Sequence, residues 1–129
     1  MRSFSVSSER ISSHARRAKK LAVSHATLGP AERHRMRISF KKLRYTLEFF
    51  APLLPASRLS PYLAALSQLQ DELGLINDHV TADTLIKDAL AKRPSGPIHG
   101  WVAGRHALLV SELSESLQTW LAQRAFWKK

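Results

Sequence analysis

The chain has 129 residues, no cysteine, and 20 Lys+Arg against 10 Asp+Glu, a formal net charge of +10. That length suits one hydrophobic core and one domain spanning residues 1–129, and the missing cysteines exclude a disulfide framework or a thiolate metal site. The N-terminal "MRSFSVSSER" lacks the apolar stretch of a secretory signal and no run of about 18 apolar residues could span a bilayer, so a soluble cytoplasmic protein with no membrane partner is expected.

Pro and Gly cluster at "LGPAE", "APLLPAS" and "KRPSGP", and the stretches between them have helical spacing with almost no strand-like alternation. Four helices are predicted. The first covers about 5–27, with Ile11, Ala15, Ala18 and Ala22 as a thin apolar stripe. It is also basic: Arg10, His14, Arg16, Arg17 and Lys20 lie on it, with Arg10 and Arg17 one heptad apart.

The second helix is predicted over 31–53, with Pro30 at its first turn, Glu32 where the helix dipole favours an acid, and Pro52 and Pro55 at its end. The third covers 58–91, with Ser57 or Ser60 as its N-cap and Pro61 in its first turn. Tyr62, Leu66, Leu69, Leu73, Ile76 and Val80 keep helical phase through Gly74, where close packing or a bend is expected, with a break at Asn77-Asp78 as the alternative. The fourth covers 98–126, with Leu109, Leu113, Leu117, Trp120 and Leu121 on one side. Short connections favour antiparallel neighbours, so the expected fold is an all-α, antiparallel up-down four-helix bundle.

The charge is local. Residues 1–50 hold 12 basic and 3 acidic side chains, a net of +9, whereas residues 51–129 hold 8 and 7. Much of it falls in "HRMRISFKKLRYTLEFF", where about 100° per residue places His34, Arg37, Lys41 and Arg44 in one stripe opposite Met36, Phe40, Leu43, Leu47 and Phe50. Ile38, Tyr45 and Phe49 form a second apolar border, so the cations run between two apolar edges, as in a groove or channel wall.

Stacked like charges cost a few tenths of a kcal/mol per pair, about one helical turn apart. Glu48 is the only acid on that side, so the row expects its counter-charge from outside the chain. Its length, ~15 Å, suits several phosphates in a line, for which Arg offers a bidentate fork and Lys a mobile charge. A solvated basic face binding nothing in particular has comparable standing from the stripe alone.

The same residues resemble the signature of the CHAD family of histidine-bearing helical domains, H-x-x-R-x-x-x-K-x-L-R-Y-x-L-E-x-F, matched at His34, Arg37, Lys41, Leu43, Arg44, Tyr45, Leu47, Glu48 and Phe50. "LQDELGLIND" is similar to the family's second block, and "GWVAGRHALL" with "FW" to its closing helix, so the likeness runs over 31–127. The resemblance implies a non-catalytic protein that binds inorganic polyphosphate in a basic cavity, in some members at polyphosphate granules. It assigns the anion contacts to His34, Arg37, Lys41 and Arg44; Arg10 and Arg17 are added as an extension of the basic surface.

A complete CHAD domain has two similar helical halves, and this chain resembles only the C-terminal half. A fragment, or a half-domain protein that forms a homodimer, is therefore expected, the dimer placing two basic helices across one channel. Nucleic-acid binding, a phosphotransfer role for His34 and a granule-coat role are the alternatives. The absence of Asn/Gln on the stripe argues against base readout, and no carboxylate at i+3 or i+4 orients His34 as a base.

No cofactor is called for. His79, Asp78 and Asp83, even with His34, fit no recognisable metal motif, and the cations beside His34 disfavour one. Asn77 and Asp78 are expected to make hydrogen bonds inside the bundle, such as fixing a basic side chain from a neighbouring helix, His14, His25, His99 and His106 to be ordinary surface or partly buried histidines, and Trp101, Trp120, Trp127 and Phe126 to pack in a core or interface.

Overall fold

A computed structural model describes residues 2–24, 29–93 and 95–128, all of whose regular structure is helical. α1 (Arg2–Val23), α2 (Pro30–Phe49), α3 (Ala56–Leu90) and α4 (Gly96–Leu121) pack as a four-helix bundle, each against its chain neighbour, with α1 and α4 touching more lightly. His25 and the expected end of the first helix lie outside the described residues.

Each helix buries the apolar positions that its periodicity singles out. Ile11, Ala15, Ala18 and Ala22 from α1 meet Met36, Phe40, Leu43 and Leu47 from α2, all buried. Leu66, Leu69, Leu73 and Ile76 of α3 face Leu109, Leu113, Leu117 and Trp120 of α4 in the same core cluster. The small residues of α1 permit a close approach to α2, which must carry the bulk with Phe40 and Met36.

Several local expectations are corrected. α2 stops at Phe49, and a 3₁₀ turn at Ala51–Leu53 occupies the segment expected to be its last turn. α3 has Pro55 as its N-cap in place of Ser57 or Ser60, so Pro61 sits inside the helix, where its missing N–H leaves the Ser57 carbonyl without the usual helical donor. As its apolar phase predicts, the helix continues through Gly74, and the alternative break at Asn77-Asp78 does not occur. α4 begins at Gly96, capped by Ser95, whose Oγ accepts from the Ile98 N–H at 3.4 Å.

At one end of the bundle the four helices are closed by aromatic residues. Trp120 Nε1 donates to the Tyr62 hydroxyl at 3.0 Å, and Trp127 Nε1 donates to Ser12 Oγ at 3.0 Å, joining the C-terminal segment to α1. Burial raises the pKa of the Tyr62 phenol, so it remains neutral and available to that indole. At the other end the start of α2 lies beside Leu73, Ile76, Asn77 and Val80, and α3, which packs on α4, continues past it. Leu85 and Trp101, 67 % and 63 % exposed, lie there, so of the two placements expected for Trp101, core or interface, the structure excludes the core.

Candidate functional site

The rotation of α2 is fixed by Met36, Phe40, Leu43 and Leu47, which are fully buried. With that side held inward, His34, Arg37 and Arg44 meet residues of α3 in the open groove between α2 and α3, and Lys41, on the same stripe, lies further out beside the Tyr45 ring. His34, Arg37 and Lys41 are exposed and Arg44 is half-buried.

Arg44 is the most constrained of the four. Its Nη1 donates to Gln70 Oε1 at 2.8 Å and its Nε to Glu48 Oε1 at 3.0 Å. The Glu48 pair is largely solvent-exposed and stabilises by only ~0.3–0.5 kcal/mol; its larger effect is to orient the guanidinium. Arg37 crosses the groove to α3, where a Cβ built on Gly74 would stand 3.7 Å from Arg37 Nη2, an ordinary contact. Arg33, His34 and Arg37 line a small cleft with Pro30, Leu73, Ile76, Asn77 and Val80.

The two motif blocks of the sequence therefore face each other across this groove. Gln70 is the residue of the second block that fixes a basic side chain, a role expected of Asn77 or Asp78; those two are exposed, and Asn77 contributes a wall of the cleft. Arg33 was not among the expected contacts. Its signal was legible as "ERHR", one residue before His34 and four before Arg37.

Arg10 and Arg17 belong elsewhere. They lie on α1, across α2 from the groove, and the six expected residues form two groups. Arg10 and His14 line a recess with Tyr45, Thr46, Phe49 and Phe50. Burial pushes the His14 imidazole below the ordinary histidine range, and the charges of Arg17, Lys42 and Arg10 push it further. His14 is thus half-buried, one of the two placements expected of it, and it lies among the charges of Arg10, Arg17 and Lys42 in a second basic cluster.

Between the groups runs a ridge of Ile38, Tyr45 and Phe49, exposed by 38 %, 52 % and 78 %. Lys41 Nζ lies 5.8 Å and the Arg44 guanidinium 5.9 Å from the Tyr45 ring centroid, within cation–π range. Among the described residues the close ion pairs are Arg44–Glu48 and Lys87–Asp83, so Arg10, Arg17, His34, Arg37 and Lys41 have no carboxylate partner there.

Among the described residues no group of three His, Asp or Glu side chains could hold a metal ion. Asp83 pairs with Lys87 at 3.0 Å, and His79 stacks on His106 with ring centroids 5.6 Å apart. No helix, among the described residues, is long and apolar enough to cross a membrane.

The chain belongs to the CHAD family: the family's model, described as CHAD domain, matches residues 2–87 of the 129. The match takes in α1, which the quoted motifs did not include, and ends before the "GWVAGRHALL" helix that had been compared with the family's closing segment. No curated protein and no solved structure matches the chain. CHAD domains are associated with polyphosphate binding and are generally binding domains rather than enzymes.

Proposed function

We propose that the chain binds inorganic polyphosphate, without catalysis, along the α2–α3 groove through His34, Arg37, Lys41 and Arg44. The observation that carries this reading is the row itself. His34, Arg37 and Arg44 meet α3 along one groove and Lys41 continues the same stripe; among the described residues Glu48 is the one carboxylate paired with any of them, while Gln70 holds Arg44 in place before any ligand arrives. Rigid donors spaced along a helix meet successive phosphates of a linear polymer at low ordering cost, and each neutralised phosphate releases counter-ions.

The groove is open on one side. In a C2 homodimer the second copy supplies the opposite wall, and two basic helices then face one polymer across a channel. The exposure of Ile38 on the groove's flank supports such a partner. A cytoplasmic location follows from this reading, at polyphosphate granules where they form. A monodisperse monomer in sedimentation at micromolar concentration, with and without polyphosphate, would remove the dimer from the account.

Titration with long-chain polyphosphate, against duplex DNA as competitor, on wild type and on Arg37→Ala/Arg44→Ala tests the binding itself. Polyphosphate binding that resists DNA and collapses in the double variant is expected. Equal binding of the two polymers, retained by the variant, would reduce the groove to a general basic surface.

A further inference from the structure

On the α1 side of the Ile38–Tyr45–Phe49 ridge, the second basic cluster differs from the groove in one chemical respect. It contains aromatic faces. Phe49 is the most exposed large apolar side chain of the described residues, at 78 %, and Phe50 braces it edge-on with ring centroids 5.0 Å apart. Tyr45 flanks the same recess, into which Arg10 and His14 open from α1. Arg17 from α1 and Lys42 from α2 add charge around His14, and no acidic residue lines the recess.

A linear phosphate chain makes no use of an aromatic ring, and an apolar partner would have to cover several cations. A ligand that carries both a flat ring and a phosphate satisfies both halves at once. Exposed aromatic faces beside cations are the means by which proteins hold unpaired bases, each stack contributing about 1–3 kcal/mol.

We propose that the recess formed by Arg10, His14, Tyr45 and Phe49 is a nucleotide site, in which a base stacks on Phe49 and the phosphates meet Arg10 and His14, with Arg17 and Lys42 behind them. The site is separate from the α2–α3 groove and does not rest on that groove's binding polyphosphate. Its ligand chemistry, base plus phosphate, is shared by free nucleotides and by single-stranded nucleic acid. Phosphate bound there favours the protonated imidazole, so affinity rises as pH falls through the His14 transition. The groups that face His14 in this coupling are Arg10 and Arg17 on its own helix and Lys42 on α2.

The test compares ADP with pyrophosphate by amide chemical-shift titration of the whole chain, since both probes carry two phosphates and only one has a base. ADP is expected to bind about 10-fold tighter or better, from the stacking term. Phe49→Ala should abolish that preference and Phe49→Trp should keep it, while Arg37→Ala, which touches only the groove, leaves it intact. A short oligo-dA assigns the source: tighter binding than ADP indicates a strand, and equal or weaker binding a free nucleotide. Equal affinity for ADP and pyrophosphate, or a preference that survives Phe49→Ala, overturns the site. Polyphosphate binding to the groove can succeed or fail independently of either result.

Discussion

The inward and outward sides of α2 share twenty residues of backbone and answer to different demands. Inward, Met36, Phe40, Leu43 and Leu47 are fully buried and fix the helix against α1, α3 and α4. Outward, His34, Arg37, Lys41, Tyr45 and Phe49 stay in contact with solvent. The inward side is shaped by the rest of the chain, and the outward side carries the cations proposed to meet polyphosphate. Charge on a packing helix is tolerable because the two sides are kept apart by the helical period, and the core side orients the cations.

That separation can be broken from the inside. Phe40 packs edge-on against Trp120 with ring centroids 4.9 Å apart, and Phe40→Ala should cost about 3–5 kcal/mol in urea unfolding. A loss under about 1 kcal/mol would mean that α2 is not anchored as described. From the outside the effect should move to binding. Charge-assisted hydrogen bonds are worth about 1.5–3 kcal/mol each, so Arg37→Ala/Arg44→Ala should weaken polyphosphate binding about 100-fold or more while the fold is retained by circular dichroism.

Gly74 sharpens the comparison from the facing helix. Its added methyl group would make only ordinary contact with Arg37, so Gly74→Ala should raise stability by about 1 kcal/mol and leave binding close to wild type. Gly74→Leu, which intrudes on the Arg37 side chain, should weaken binding instead.

The smallest effect concerns His14. Its folded-state pKa is lowered, chiefly by burial, so the folded protein prefers the neutral imidazole. The stability tied to that preference is present above the unfolded value of about 6.5 and is lost as pH falls through it toward the folded value. Thermal unfolding of the unliganded protein should therefore show a larger drop between about pH 7.5 and 5.5 for wild type than for His14→Gln.

Most of this fold was legible in the sequence because helical periodicity reports burial directly. The thin stripe Ile11-Ala15-Ala18-Ala22 and the fuller one Leu66-Leu69-Leu73-Ile76 are both buried as their spacing predicts. Ends were harder. Pro61 suggested a first turn because proline is most easily placed there, yet the chain begins α3 at Ala56 and accommodates the lost hydrogen bond inside it.

The row from His34 to Arg44 was legible for the same reason, since a single helix carries all of it. The division of Arg10 and Arg17 from that row was not, because it depends on which side of α2 receives α1. Likewise "LQDELGLIND" announced a motif, but only the packing of α3 on α2 shows Gln70, rather than Asn77 or Asp78, holding Arg44. His14 could have been suspected from Arg10 and Arg17 on either side of it at helical spacing.

The most direct test of the groove is the location of binding, read from amide chemical shifts of the 14.5 kDa chain as tripolyphosphate and then longer polyphosphate are added. The largest changes should fall on residues 33–48 of α2 and 70–77 of α3, and deepen with chain length. Changes of equal size along the exposed side of α4, or confined to α1, would contradict binding in the groove.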